Sequence, residues 1–570
     1  MADNIAKKLE LTGNPGPKVP VIGVFAPCDP RIDKDSRRRA QNIIKSVAEA
    51  ISGKVVLPDN SVVEVVYSDV LIDSEKQADI VAAMFRQAGV DILVACPDTW
   101  AFPQLTGISL LQQFPKETPL NITCGNSGPK PGVVYAHALN GAFAQYGRMT
   151  SLNVGNWPDT GLDPKMSEKT LEALVNWCYA AVTQVATKGR RVVVFGHDSM
   201  GMETALAHVI PTRNTFGLEI TRLDMKLLSD MIAKEAYSKK ELKALRAWIN
   251  KNIGKRLEVR TDAESALFDK SLALYLVCRD ILTDLNAIGG GFMSQLEWGS
   301  DKRGLPLPVA DVMETLFNSS FDHNGPKTVV PFATEADCQA LLTMLYMSYL
   351  TGGSAPLFMD FRKVWEGWEI KNLAEKLKVE IPADAKWVLN GLVDGNNSGS
   401  AALDWAGMPG WTAKKILDRV SLPIADSGYF PGGGNSVTFL SPAGIKGIAG
   451  RMAYCSLNNK FSMIWDEAES VEVPAQLADA MMNLTNWNWP HTFLVPKYAS
   501  MTEYKQYTPA NHFHMVRDLP VARFQYWMDL TGILSIAPWS ARPKFIDGTD
   551  RPQPLVHLLA GGEMNYKHLI

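Results

Sequence analysis

The sequence predicts an α/β protein in which two doubly wound α/β domains, residues 1–166 and 167–353, precede a β-rich C-terminal domain, residues 354–570. Three features carry that expectation. Strand-length apolar runs alternate with helical patterns in the first part of the chain, and these runs are continuously apolar, as in parallel sheets covered on both faces. At 570 residues the chain exceeds what one hydrophobic core organises. Beyond residue 354 turn signals such as DGNNSGS and YFPGGGNS crowd together, and strand patterns follow one another with few helices between.

In order, KVPVIGVFAP reads as a strand and DSRRRAQNIIKSVAEAISG as a helix stopped by Gly53. VEVVYSDVLI is the next strand. Ser74 and Gln77 have capping-box spacing before the helix KQADIVAAMFRQAG, which Gly89 ends. VDILVACP and PLNITCG are further strands, and Pro131 suits the first turn of a helix through PGVVYAHALNGAFAQYG. After the loop WPDTGLDPKMS an amphipathic helix spans about 168–187, and RRVVVFGHDSMG runs from strand into loop. Ser238 and Glu241 offer a second capping box, and a long helix follows at roughly 262–286. KTVVPFATE, a helix over 336–350 and APLFMDF form a β-α-β unit, whose last strand fits either side of the domain boundary. SVTFL, RMAYCSL and FSMIW are strands of the third domain, with one helix near 475–484.

Apolar residues make up 46% and charged residues 21%, as in soluble globular proteins. With 57 basic against 60 acidic side chains nothing attracts nucleic acid or an anionic membrane, which needs a one-sided basic surface. The first residues lack a secretory signal's apolar run, and no apolar stretch is long enough to span a bilayer. Seven scattered cysteines without a CxxC pair read as reduced thiols of a cytoplasmic protein.

Two acids stand at strand ends. Thr334 as N-cap and Asp337 as its box partner make Glu335 the first residue of a helix at the carboxyl edge of a sheet, and Asp360 closes the next strand. Acids favour a helix's first turn for electrostatic reasons alone, and Arg362 is a plain partner for Asp360. If the two carboxylates do share a crevice they repel, and a divalent cation relieves that repulsion. Oxygen donors suit Mg²⁺ or Mn²⁺, and an added imidazole tilts the choice toward Mn²⁺ or another transition ion such as Co²⁺. In TPANHFHM, His512 and His514 fall on one strand face beside Asn511. IGGGF and FPGGGN lack the spacing of a phosphate loop and read as turns.

LFNSSFDHNGPKTVVPFATEAD, LTGGSAPLFMDFRKVW, NNSGSAALDW, YFPGGGNSVTF and TPANH follow one another in the order and at about the spacings of the bacterial L-fucose isomerases, which the chain resembles. IGVFAPCDPR, PGVVYAHAL and DSMG extend the match into the amino-terminal half. The resemblance implies two α/β domains and a β-rich third, Mn²⁺ held by Glu335, Asp360 and His512, and the same two acids as acid–base groups of an aldose–ketose isomerisation through a cis-enediol. L-Fucose and D-arabinose are the substrates it implies. It also implies sugar contacts at Arg31, Trp100, Met200, Gln295, Ser398, Tyr429 and Asn511, and a homohexamer in which Trp100 reaches a neighbouring subunit's pocket.

Each of these has a plainer role open to it: an ion pair for Arg31, packing for Trp100, Met200 and Tyr429, turn hydrogen bonds for Ser398 and Asn511, and a solvent-facing amide for Gln295. FHMVRDLP after ANH, and the surroundings of CPDTWAFPQ, depart from the family pattern. Those departures leave the reacting end intact and open the sugar's far end to another aldose, including one substituted at C6. A non-catalytic sugar-binding protein is the contrasting class, and it has no use for a Glu/Asp/His set.

Overall fold

The amino-terminal apolar runs form a parallel sheet of β1 (Val21–Phe25), β2 (Glu64–Tyr67), β3 (Val90–Ala95), β4 (Leu120–Gly125) and β5 (Ser151–Gly155), in the order β2-β1-β3-β4-β5. The computed structural model describes residues 18–125, 131–155, 157, 161–197, 199–294, 307–383 and 385–536. They divide into two units, and this sheet belongs to the first, which takes in the chain up to Lys188 and then Pro520–Thr531. Ser74 does precede the helix Glu75–Gln87, but its side chain makes no capping bond, so the expected box with Gln77 is not formed. The helix Glu168–Thr187 starts where its pattern predicts, with Ser167 accepting from Thr170 N–H. It packs on the late helix Val521–Thr531, whose Arg523 lies 3.7 Å from the Tyr179 ring centroid and donates to Asn176 Oδ1 at 3.1 Å. The body of this unit therefore extends past residue 166.

The second unit opens with another parallel sheet. Its strands are β6 (Arg191–Phe195), β7 (Glu219–Leu223) and β8 (Ala287–Phe292); after a short hairpin, β9 (Phe321–Asp322) and β10 (Gly325–Pro326), comes β11 (Phe332–Thr334). The order is β11-β8-β6-β7. Ser238 caps the helix Lys239–Asn252 by accepting from Glu241 N–H, but the Glu241 carboxylate binds Arg279 instead of closing the box. Thr261 and Glu264 form a complete box on the helix Asp262–Asp284.

The rest of this unit is an antiparallel barrel of β12 (Leu357–Trp365), β13 (Leu392–Asn396), β14 (Lys446–Cys455), β15 (Lys460–Ser470), β16 (His491–Pro496) and β17 (His512–Arg517). The order β14-β17-β12-β13-β16-β15 closes through a β14–β15 pairing, and β18 (Leu534–Ile536) adds in parallel to β15. Closure leaves these six strands no free edge. SVTFL, expected as a strand, contributes only single bridges from Thr438 to Ser421 and from Leu440 to His491. The helix expected near 475–484 is Ala475–Asn483.

One helix organises this unit. Cys338–Leu350 is buried on every side except at Tyr349, as befits a segment apolar all round. It packs against β8 and β11 and also against β14 and β17, so its amino end lies where sheet and barrel meet. All seven cysteines are free and buried. No helix among the described residues is long and apolar enough to cross a membrane.

Candidate active site

The expected helix start at Glu335 is corrected by the structure. Asp337, not Thr334, is the N-cap of the helix Cys338–Leu350, with Oδ1 accepting from Ala340 N–H at 2.9 Å. The Thr334 hydroxyl is engaged elsewhere, donating to Glu314 Oε2 at 2.8 Å. Glu335 and Ala336 thus form a turn between β11 and the helix, both left-handed at φ 61° and 54°. Such backbone costs an L-residue about 1–2 kcal/mol each and persists where the surroundings enforce it. Here the Glu335 N–H donates to Ser294 Oγ at 3.2 Å.

Asp360 is also placed differently. It lies inside β12, not at a strand end, and β12 belongs to the barrel, not to the sheet that carries β11. The two acids meet because β17 pairs antiparallel with β12 in a register that sets His512 opposite Asp360. His512 Nε2 lies 3.2 Å from Glu335 Oε2 and 3.3 Å from Asp360 Oδ1. On the other side of the ring Nδ1 lies 2.7 Å from Asp337 Oδ2. Glu335 and His512 are buried, and the Asp360 side chain keeps 18% of its surface exposed.

Asp337 joins this set, although its spacing from Thr334 pointed only to a capping role. Both its oxygens face the fully buried Arg451, at 2.8 and 2.9 Å. Burial would raise its pKa, but the Arg451 charge and the His512 hydrogen bond hold this carboxyl well below the usual range. Burial opposes a proton on His512, yet the hydrogen bonds to Asp337, Asp360 and Glu335 together outweigh it and raise the imidazole well above its ordinary value. His514, the other candidate on that strand face, does not join the acids. Burial and the neighbouring Arg451 push it well below the ordinary range, and its Nε2 lies 3.2 Å from Arg451 Nη1.

Beneath Glu335 lie two more buried acids. Glu314 Oε2 accepts from Thr334 and, at 2.9 Å, from Ser400. Burial pushes Glu314 up to about 7. Asp311, raised well above the usual range by burial and by the Glu314 charge, accepts from Ser436 Oγ at 2.6 Å. Gly399, at φ +86°, passes so close that a Cβ would stand 1.8 Å from Asp311 Oδ2.

Ser398 is buried in this loop, its N–H donating to Asn397 Oδ1 at 2.7 Å. Asn511 adjoins His512, with Oδ1 3.5 Å from Thr204 Oγ1. Met200 is half exposed and left-handed, in a segment that Arg451 ties down through Thr204 O at 2.7 Å. Tyr429 is partly exposed and packs edge-on against Trp489 at 5.2 Å. Arg31 and Trp100 lie in the first unit. Arg31 pairs with Asp29 at 2.7 Å and stands over Phe102, while Trp100 packs edge-on against Phe102 and Tyr135. Gln295 lies outside the described residues.

Among the described residues no three His, Cys, Asp or Glu side chains stand at metal-coordinating distances, and the contacts at His512 are those of hydrogen bonds. The donor chemistry nevertheless suits a divalent ion. Two carboxylates converge on one imidazole nitrogen and need a positive charge between them, and the opposite nitrogen is oriented by a third carboxylate, that of Asp337, the usual support of a metal-binding histidine. Glu335, Asp360 and His512 are the residues that could hold it.

Two family models match the chain: "L-fucose isomerase, first N-terminal domain" over residues 19–189 and "L-fucose isomerase, second N-terminal domain" over 280–352. Curated relatives extend the similarity. An L-fucose isomerase of Escherichia coli O17:K52:H18 is 26% identical, covering 84% of this chain and 85% of the relative. That of Vibrio vulnificus strain YJ016 is 25% identical over 84% and 85%, and that of Haemophilus influenzae strain PittEE 24% identical over 80% of each. The family-model matches agree with parallel-sheet domains ahead of a β-rich one, and over about four fifths of its length the chain is similar to the L-fucose isomerases, which are aldose–ketose isomerases.

Proposed function

We propose that this protein interconverts an aldose such as L-fucose or D-arabinose with its ketose through a cis-enediol. The observation that carries the reading is the approach of Glu335, from the turn after β11, and Asp360, from β12, to the same nitrogen of His512. Isomerisation moves a proton between C2 and C1 while the carbonyl migrates, so it needs one group at the carbon proton and another at the oxygen proton. Glu335 and Asp360 are the pair offered for those tasks, and each is held by neighbours: Glu335 by its constrained turn, Asp360 by the ladder to β17.

Mn²⁺, with Mg²⁺ or Co²⁺ as alternatives, held by Glu335, Asp360 and His512, would supply Lewis-acid stabilisation of the charge on the enediol oxygens. Asp337 orients His512 so that Nε2, rather than Nδ1, faces the acids. Ser398, Tyr429, Asn511 and Met200 are assigned to the sugar, as are Arg31, Trp100 and Gln295 on the family resemblance alone. That resemblance also supports a homohexamer in the cytoplasm.

An aldose panel assayed for ketose formation with Mn²⁺ tests the reading. Wild type should turn over at least one of L-fucose and D-arabinose, and E335Q and D360N should each abolish turnover with unchanged circular dichroism. Near-normal rates in either variant would refute the assigned roles.

A further inference from the structure

Two residues beyond Asp360 on β12, Arg362 carries a guanidinium whose two sides have different surroundings. Nε donates to Asn486 Oδ1 at 2.7 Å, and Nη2 donates to the same oxygen. The plane stands 4.7 Å from the centroid of Trp489, a buried ring, and 5.9 Å from that of Tyr429. Nη1 makes no hydrogen bond among the described residues; it stops 3.9 Å short of Asp360 Oδ2, and the side chain keeps 26% of its surface open.

We propose that Arg362 is a specificity-determining sugar contact, its Nη1 edge donating to a hydroxyl of the aldose chain beyond the two reacting carbons. The inference rests on the isomerase reading above. Asp360 turns Oδ1 toward His512 and Oδ2 toward Arg362, so the guanidinium lies at the other edge of the carboxylate from the Glu335–His512 contact. A substrate whose C1 and C2 oxygens sit at that contact presents its next hydroxyls toward Arg362.

A gap of 3.9 Å is too wide for a hydrogen bond, yet one hydroxyl can bridge it by accepting from Nη1 and donating to Oδ2. Because Asn486 and the Trp489 face already fix the side chain, little conformational entropy is lost when a ligand arrives.

The test titrates L-fucitol, an alditol that cannot isomerise, into Mn²⁺-loaded wild type, R362M and R362K by calorimetry, with Mn²⁺ binding measured separately. Methionine keeps the length and removes the donors, whereas lysine keeps the charge and loses the fork. R362M should weaken alditol binding about 10- to 100-fold, R362K by less, and both should bind Mn²⁺ as wild type does. Wild-type alditol affinity in both variants overturns the proposal, and so does a loss of Mn²⁺ binding that accounts for the weaker alditol. If wild type binds L-fucitol but turns over no aldose, the isomerase reading falls while the Arg362 contact stands. If wild type binds no alditol, both fall.

Discussion

Asp337 illustrates how much one side chain carries here. It caps a helix, neutralises Arg451 and orients His512, with no solvent exposure on either member of the ion pair. Asparagine keeps the shape and the cap but leaves the Arg451 charge buried and unpaired. D337N should therefore lose about 3–5 kcal/mol of unfolding free energy, measured by urea denaturation, with His512 no longer held. Glu335, Asp360 and His512 are legible as a set only through the family resemblance, since the residue pattern alone leaves Asp360 an ion pair with Arg362 and His514 as open as His512. Asp337 was not legible, because an acid three residues after a threonine reads as a capping box. Its true role depends on Glu314 drawing the Thr334 hydroxyl away, and that contact spans 20 residues.

At the scale of elements, the 397–400 loop leaves no room beside Asp311. G399A would press a methyl group into that carboxyl and force a left-handed backbone on alanine. Destabilisation of about 1–3 kcal/mol is expected in thermal or urea melts, with A401G as a control that lacks the clash.

In β15, Asp466 is buried. Oδ2 accepts from the N–H groups of Tyr498 and Ala499, whereas Oδ1 has no partner among the described residues. Burial pushes it up to about 6 from an ordinary 3.8. The folded state thus keeps a proton that the unfolded chain releases. This residue costs nothing below about pH 4, and its penalty grows to about 3 kcal/mol as pH rises through 6. Unfolding free energies of D466N and wild type, compared between pH 4 and 7.5, should diverge in that direction.

Helices were the readable elements, since Glu168–Thr187 and Asp262–Asp284 follow their own periodicity and caps. The barrel was readable only as β-rich. Its closing pairs join strands far apart in sequence, such as β12 with β17, and no local pattern encodes such partners.

For the molecule as a whole, the divalent ion proposed for Glu335, Asp360 and His512 would make stability a function of metal concentration. A cation that binds the folded state alone stabilises it by about 2.7 kcal/mol at 100 times its Kd. Mn²⁺ should raise the melting temperature of wild type, EDTA should reverse the rise, and E335Q and D360N should show little of it. Differential scanning fluorimetry reads all three.

The path of the backbone sets a further condition. It leaves the barrel after Leu519, lends Pro520–Thr531 to the first unit, and returns at Gly532 to add a last strand. During synthesis the earliest residues to emerge must wait for a segment made more than 300 residues later, because Trp527 and Phe524 are buried in the amino-terminal body they complete. Folding strictly domain by domain behind the ribosome is thereby denied to this chain, and a fragment ending at residue 188 would display a bare apolar helix face and aggregate.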